Sequence, residues 1–190
     1  PEAYYVHTPG VKVAIPSTPA DAKGLLAAAI RDPDPVVILE PKLVYRTARG
    51  EVPEGEHVVP LGRARLAREG TDLSLVAYGA MVPVCERAAD ELDASVEVLD
   101  LRSLKPLDEE ALLASAAKTG RVVLVQEAPR TCGYAAELAA VLAEKALLDL
   151  QAPVVRVTGY DVPYPYWQIE DAYMPSVARV VDAARRLLAF

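Results

Sequence analysis

The sequence predicts an α/β protein in which one complete domain follows a fragment of another. Short β-branched runs alternate with helical segments along most of the chain, an order typical of a parallel sheet covered by helices. Hydrophobic residues make up 52% of the 190 residues, enough for a sizeable core. A turn-rich stretch early in the chain interrupts this alternation. We therefore expect a three-layer α/β/α domain after that stretch.

The residues before the turn-rich stretch form a strand, helix and strand pattern. The apolar run at residues 11–15 is short and rich in β-branched residues, as in a strand buried on both faces. Ser17 or Thr18 is suited to cap a following helix, and Pro19 suits its first turn. Residues 36–39 predict a second buried strand, joined to the first by a right-handed crossover. One such unit is too small to make a domain.

Residues 41–60 are rich in proline and glycine and lack apolar periodicity, which is typical of a linker. The predicted division is therefore a fragment at 1–40, a linker at 41–60 and a full domain at 61–190. In the full domain we predict strands at 73–78, 96–99, 122–126 and 154–157, and helices at 81–92, 108–117, 133–148 and 175–188.

The composition excludes several classes of protein. The formal net charge is -7 and acidic and basic residues are interspersed, which argues against a nucleic-acid surface. No apolar run approaches the roughly 20 residues that a membrane span needs. Cys85 and Cys132 lack the paired spacing of a zinc or redox site. We therefore expect both to be reduced thiols that serve as packing residues, and we expect the protein to be cytoplasmic.

Several polar residues are candidates for chemistry, although each also has a structural interpretation. His7 precedes a buried strand, and a structural or site-adjacent role is favoured over that of a general base. We expect His57 to be a solvated loop residue. Five residues stand near predicted strand ends, where α/β sheets bind ligands, but no glycine-rich phosphate loop accompanies them. An interface or structural role is favoured for this strand-end set, which comprises Asp100, Arg102, Gln126, Glu127 and Arg130.

Two further segments carry recognisable patterns. Asp32 and Asp34 follow a predicted helix, where free carbonyls and carboxylates could hold a hard cation. By spacing alone, a pair of acids in a turn is the favoured interpretation. Residues 161–166, DVPYPY, followed by Trp167, predict an exposed aromatic loop that either anchors a partner protein or simply covers the domain.

Three sequence blocks together resemble the beta subunit of the thiamine-diphosphate-dependent 2-oxo acid dehydrogenase E1 component. They are EAYYVHTPGVKVAIPSTPADAKGLL with EPKLVYR, then VEVLDLRSLKPLDEEALLASAAKTGRVVLVQEAPR, then APVVRVTGYDVPYPY. Short pieces such as SLKPLDEE also occur in the wider transketolase-like group, so the combination carries the specificity. The resemblance implies that residues 1–40 end a pyrimidine-binding domain and that residues 61–190 form a transketolase C-terminal domain.

The same resemblance implies a function for the longer protein. Such subunits take part in oxidative decarboxylation of a 2-oxo acid and acyl transfer to lipoyl-E2, with thiamine diphosphate and magnesium held mainly by the alpha subunit. EPKLVYR and VTGYDVPYPY favour the branched-chain, 2-oxoisovalerate type, with the pyruvate type as the alternative. The implied partners are an E1 alpha subunit, a second beta subunit in an alpha2beta2 assembly, and the E2 lipoyl acyltransferase.

The resemblance places the family's catalytic groups outside this sequence. Its beta histidine belongs to a His-Ser-Gln segment a few residues before Pro1, and its beta glutamate lies further upstream. We therefore predict a truncated subunit that is inactive alone, with no catalytic or cofactor-binding residue of its own. The family can also bind a structural potassium ion, and the matching positions are Ala29, Asp32 and Asp34, where Asp34 replaces the asparagine of some relatives.

Two other classes of function stay open. A stand-alone, non-catalytic assembly module of transketolase C-terminal type would share the same blocks without the chemistry. A generic α/β enzyme would instead need a self-contained pocket with perturbed ionisable groups, and the sequence offers no evident set of this kind.

Overall fold

The structure is a computed structural model, and it describes residues 2–190. The helices are α1 Glu2–His7, α2 Pro19–Arg31, α3 Val44–Thr47, α4 Met81–Asp90, α5 Glu109–Thr119, α6 Tyr134–Lys145, α7 Glu170–Tyr173 and α8 Val177–Leu188, with a 3-10 helix at Trp167–Ile169. The strands are β1 Lys12–Ala14, β2 Val36–Ile38, β3 Arg65–Arg68, β4 Leu73–Ala77, β5 Val96–Asp100, β6 Ser103–Lys105, β7 Val122–Pro129 and β8 Val155–Gly159. Among these residues, no helix is long and apolar enough to cross a membrane.

A five-stranded sheet forms the centre of the larger part of the chain. Its strand order is β3-β5-β4-β7-β8, and every neighbouring pair is parallel except the antiparallel edge pair β3 and β5. Every residue of β4 and β5 is buried. Helices α4 and α8 contribute to the apolar cluster on one face, and α5 and α6 to the cluster on the other. The predicted three-layer α/β/α architecture is thereby confirmed.

A second sheet of three strands joins the N-terminal part of the chain to the larger part. Its order is β2-β1-β6, with β1 and β2 parallel and β6 antiparallel to β1. Val13 and Ile15 pack into the apolar cluster that also contains residues of α5 and α6. The prediction of a fully buried second strand is wrong, because β2 lies at the sheet edge and its three residues are only half-buried.

Local sequence signals place the helix ends. The backbone N–H of Asp21 donates to Thr18 Oγ1 at 3.1 Å, and Pro19 occupies the first turn of α2, as predicted. Asp108 accepts from the N–H of Ala111 and caps α5. Gly120 ends that helix with φ +67°, a left-handed conformation that glycine adopts without steric cost.

The predicted linker lies along α2. The N–H of Val59 donates to the carbonyl of Gly24 at 3.1 Å, and the Val59 side chain is buried with Leu25 and Ala14. A Cβ atom on Gly24 would come within 2.4 Å of Val59, so this close approach requires glycine. His57 also packs against Gly24 and is half-buried rather than solvated. The last residues of this segment therefore contribute to the N-terminal core.

Candidate functional site

A cleft of about 1350 Å³ lies between the N-terminal part and the carboxyl ends of β4 and β7. Ser17 lines it from the N-terminal part, Arg65 from β3, and Tyr78 and Glu127 from the ends of the two central strands. Parallel α/β sheets bind ligands at this edge. The cleft is therefore the candidate functional site of the described residues.

One end of the cleft is acidic and phenolic. Burial raises the pKa of Glu127, and the neighbouring charge of Glu2 raises it further. Burial and a hydrogen bond to Glu170 likewise raise the pKa of Tyr164, so this phenol stays protonated near neutral pH. Carboxylates favour a cationic or neutral group and repel a phosphate.

A buried chain of hydrogen bonds runs behind this acidic end. The Tyr78 hydroxyl donates to Glu2 Oε1 at 2.8 Å and lies 3.4 Å from Gln126 Oε1. Gln126 Oε1 also accepts from the N–H of Ala135 at 2.7 Å, near the start of α6. Tyr78 is 5% exposed, and burial raises its pKa well above the ordinary value. The phenol therefore remains a hydrogen-bond donor.

A second buried group connects the start of α2 to the larger part, and we call it the junction network: Ser17, Asp21, Arg65, Asp100 and Arg102. Arg102 Nη1 donates to Asp21 Oδ1 at 2.9 Å, and Arg65 Nη2 donates to Asp100 Oδ2 at 3.1 Å. The Ser17 hydroxyl donates to Asp100, and Arg65 Nε lies 3.4 Å from Asp21 Oδ2. Two guanidinium groups thus face two carboxylates that are almost completely buried.

Two features of this network depart from ordinary values. Burial raises the pKa of Asp100 to about 6, while the Ser17 hydrogen bond and the Arg65 charge act in the opposite direction. Arg102 has φ +54°, which is unusual for a residue other than glycine. Its guanidinium also donates to the carbonyls of Arg63 and Ala64, at 3.1 and 3.0 Å. These contacts hold the strained backbone in place.

The family model described as the transketolase C-terminal domain matches residues 62–180. The chain belongs to this family. A second model, described as the transketolase pyrimidine-binding domain, matches residues 1–47. Both descriptions agree with the fold and with the predicted identity of the two parts.

Individual relatives of this transketolase-family chain confirm the resemblance predicted from the sequence. It is 50% identical over its whole length to the pyruvate dehydrogenase E1 component subunit beta of Bacillus subtilis, covering 59% of that protein. It is 45% identical to the mitochondrial 2-oxoisovalerate dehydrogenase subunit beta of Dictyostelium discoideum, covering 52% of it. The chain thus spans little more than half the length of these curated relatives.

A solved structure supports the fold independently. The chain superposes on a split-gene transketolase, an inactive beta4 tetramer, with a TM-score of 0.82 and 30% sequence identity. The match covers 98% of this chain and 60% of the other.

The three positions predicted for potassium lie at the end of α2. Lys12 Nζ contacts Asp32 Oδ1 and Oδ2 at 2.7 and 2.8 Å and Asp34 Oδ2 at 3.0 Å. The carbonyl of Ala29 accepts from the N–H of Asp32 at 3.3 Å. Lys12 also lowers the pKa of Asp32, as expected for a paired carboxylate. These side chains do not fit a further cation, because the Lys12 ammonium already occupies the position between the two carboxylates.

Within residues 2–190, no group of three or more His, Cys, Asp or Glu side chains is arranged to hold a metal ion. A potassium ion at the end of α2 would have to rely on backbone carbonyls, including that of Ala29. The site involving Ala29, Asp32 and Asp34 therefore stays a prediction.

The structure separates the predicted strand-end set into different environments. Asp100 and Arg102 belong to the junction network, whereas Gln126 belongs to the hydrogen-bond chain behind the cleft. Glu127 lines the cleft, and Arg130 is exposed and donates to the carbonyl of Arg156. The set does not form one ligand site. The sequence pattern found Asp100, Arg102 and Gln126 but missed their respective partners Ser17, Asp21 and Tyr78, which lie far away in the chain.

The remaining candidates are at the surface, with one exception. His7 is exposed at the end of α1, and its predicted site-adjacent role is untested. Cys85 is buried, so its prediction as a packing residue is confirmed, but the same prediction is wrong for Cys132, which is exposed. Cys132 lies in the turn after β7, where φ is +54°. Its side chain therefore contributes little to the core.

The aromatic segment at 161–166 is exposed and is held at its base. Asp161 accepts from both the N–H and the hydroxyl of Thr131, at 2.9 and 2.8 Å, and these bonds lower its pKa. The Arg179 guanidinium lies 4.6 Å from the centre of the Tyr160 ring. The role of this segment as a partner anchor stays a prediction.

Proposed function

We propose that the chain is part of the beta subunit of a thiamine-diphosphate-dependent 2-oxo acid dehydrogenase E1 component. The enzyme would carry out oxidative decarboxylation of a 2-oxo acid and acyl transfer to lipoyl-E2. The observation that carries this proposal is the 45–50% identity to such subunits over the whole chain. We retain the division into 1–40, 41–60 and 61–190, and a cytoplasmic location, as parts of the proposal.

We favour a branched-chain substrate of the 2-oxoisovalerate type, with pyruvate as the alternative. This preference rests on EPKLVYR at residues 40–46 and VTGYDVPYPY at residues 157–166. Overall identity does not decide between them, because relatives of both kinds match at similar levels. The proposed partners are an E1 alpha subunit, a second beta subunit and the E2 lipoyl acyltransferase.

The cleft supports a division of labour between subunits. When bound, the thiamine coenzyme supplies the group that stabilises the carbanion formed on decarboxylation. The acidic and phenolic end of the cleft does not fit the diphosphate of that coenzyme, since Glu2, Glu127 and Glu170 would repel it. We infer that the diphosphate and magnesium ligands belong to the alpha subunit. Residues 2–190 would supply the scaffold and the contact surfaces.

The test uses the longer beta chain together with an alpha subunit. Decarboxylation of 3-methyl-2-oxobutanoate should exceed that of pyruvate in kcat/KM when thiamine diphosphate and magnesium are present. Residues 1–190 alone should show no heat of binding to thiamine diphosphate in calorimetry. Tight binding by this chain alone would overturn the proposed division of labour, and a preference for pyruvate would select the alternative substrate.

A second candidate function is a non-catalytic assembly module. The observation that favours it is the structural match to a split-gene transketolase described as an inactive beta4 tetramer. In that case the longer chain with alpha would assemble, as measured by sedimentation, yet would show no decarboxylation of either 2-oxo acid. Activity in that preparation would reject this candidate.

A further inference from the structure

Helix α1 is held against the larger part at both of its ends. At its start, Glu2 Oε1 accepts from the Tyr78 hydroxyl at 2.8 Å, and both residues are 5% exposed. At its other end, Lys105 Nζ from β6 donates to the carbonyls of Val6 and Thr8, at 2.8 and 3.0 Å. The residues that make these contacts are separated by 76 to 99 positions in the sequence.

Helix α1 cannot keep this position through its own helical stability. It has six residues, and isolated helices shorter than about 12 residues are marginal in water. Tyr4 and Tyr5 are exposed at 82% and 41%, and the apolar contact of α1 with the larger part comes mainly from the half-buried Val6. One half-buried valine leaves the orientation of the helix to the polar contacts at its ends.

The Tyr78 hydroxyl is well suited to hold Glu2. A carboxylate is disfavoured in a buried place unless donors surround it, and a hydrogen bond to a charged group is stronger than one between neutral groups. Gln126 is engaged with the carbonyl of Pro129 and with the N–H of Ala135, and its Oε1 lies 3.4 Å from the phenol. The contact to Glu2 is the shorter one, 2.8 Å against 3.4 Å, so the single phenol proton is donated to the carboxylate rather than to Gln126.

We propose that Tyr78 is a positioning residue, which fixes helix α1 through Glu2 and thereby sets the geometry of the pyrimidine-binding part along the cleft. The proposal rests on the proposed function, in which the chain preceding α1 reaches the coenzyme. Tyr78 itself does not touch the reacting atoms. Lys105 supports the same helix from its other end.

The first test measures the position of α1 without using activity. In the longer beta chain assembled with alpha, Tyr78→Phe should speed hydrogen exchange at residues 5–8 by roughly tenfold or more, because a buried hydrogen bond to a charged acceptor is lost. Ser74→Ala is the control, since Ser74 is completely buried in β4 and its hydroxyl hydrogen-bonds with Ser115 and Thr119 of α5. Equal exchange in the two variants would overturn the proposal.

The second test connects the position of α1 to the coenzyme. Tyr78→Phe should raise the Kd for thiamine diphosphate with magnesium, and its KM, about tenfold more than Ser74→Ala does, at a similar Tm. Glu2→Gln keeps an oxygen that accepts from the phenol and should retain most of the binding. Glu2→Ala should lose binding as Tyr78→Phe does. Equal losses in Glu2→Gln and Glu2→Ala would show that the hydrogen bond is not responsible.

The two tests separate failure of this inference from failure of the proposed function. An unsubstituted assembly that neither binds thiamine diphosphate nor decarboxylates either 2-oxo acid would reject the proposed function and, with it, the positioning of the coenzyme. In the same protein, hydrogen exchange at residues 5–8 would still show whether Tyr78 fixes α1.

Discussion

The N-terminal part and the larger part of the chain reach stability by different means. In the larger part, β4 and β5 are completely buried between two layers of helices. In the N-terminal part, the separate apolar cluster contains only Ala14, Leu25 and Val59 as buried residues. Leu26 and Ile30 of α2 are 45% and 77% exposed. The larger part therefore carries an extensive core, whereas the core of the N-terminal part is small.

Polar contacts compensate for this difference. The junction network, the Tyr78–Glu2 hydrogen bond and the pairing of β6 with β1 all connect the N-terminal part to the larger part. A hydrogen bond or ion pair is directional, so it fixes orientation more strictly than apolar burial does. The comparison indicates that the larger part provides stability and the polar contacts set the position of the N-terminal part.

The largest effect should come from the core of the larger part. Leu75 is completely buried in the central strand β4, so Leu75→Ala should lower the free energy of unfolding by about 3–5 kcal/mol in urea denaturation. Leu26→Ala, on the exposed side of α2, is the control and should change it by less than about 0.5 kcal/mol. Equal effects would contradict the difference between the two parts.

The next effect should come from the junction network. Arg102→Met removes the guanidinium that pairs with the buried Asp21 and that holds the left-handed backbone at residue 102, and should cost about 2–3 kcal/mol. Limited proteolysis within residues 48–58 should also become faster as the N-terminal part loosens. Arg186→Met removes an exposed ion pair with Asp182 on α8 and should change neither measurement. A similar result for both variants would show that the network does not hold the parts together.

A smaller effect should appear in the pH dependence of stability. The folded pKa of Asp100, about 6, lies above its usual 3.8, so its contribution to stability is fully present below about pH 3.8 and is lost as pH rises through about 6. Asp100→Asn cannot lose a proton. As the pH rises from 4 to 7.5, the free energy of unfolding of the variant should therefore increase by roughly 1–3 kcal/mol relative to that of the unsubstituted chain.

Asp161→Asn is the control of opposite sign for this measurement. Hydrogen bonds from Thr131 lower the pKa of Asp161, so its contribution is present above the ordinary pKa and is lost as pH falls. A difference between Asp100→Asn and the unsubstituted chain that stays constant with pH would contradict the proposed cost of the buried charge.

The smallest effect concerns the predicted potassium site. Lys12→Met leaves Asp32 and Asp34 without their ammonium partner, so potassium chloride should raise the Tm of this variant more than that of the unsubstituted chain. Choline chloride at the same ionic strength is the control for screening. An equal response of both proteins to potassium would show that Lys12 does not compete with a cation.

Local signals made most of the helices and strands predictable. Thr18, Asp108 and Ser176 cap their helices through side-chain oxygens, and each interaction spans only three residues. The central strands β4, β5 and β7 were predicted from their continuous apolar runs. These features depend on neighbouring residues and are therefore visible in the sequence.

Other elements were missed because their stability comes from distant residues. Helix α1 has too few residues for a helical period and depends on Tyr78 and Lys105. Strand β3 begins and ends with arginine, and strand β6 has only three residues. Each forms by pairing with another strand. The same reason explains the candidate site: the strand-end residues Asp100 and Gln126 were found, but their partners were not.

The sequence by itself determined the α/β class, the cap of α2, the central strands and the family resemblance, because each depends on local pattern or on ordered blocks of residues. Only the tertiary structure decided that β6 joins β1, that Lys12 pairs with both Asp32 and Asp34, and that Tyr78 holds Glu2. These contacts join residues between 20 and roughly 90 positions apart. Their formation depends on how the sheets bring chain segments together, and the local sequence pattern does not specify that arrangement.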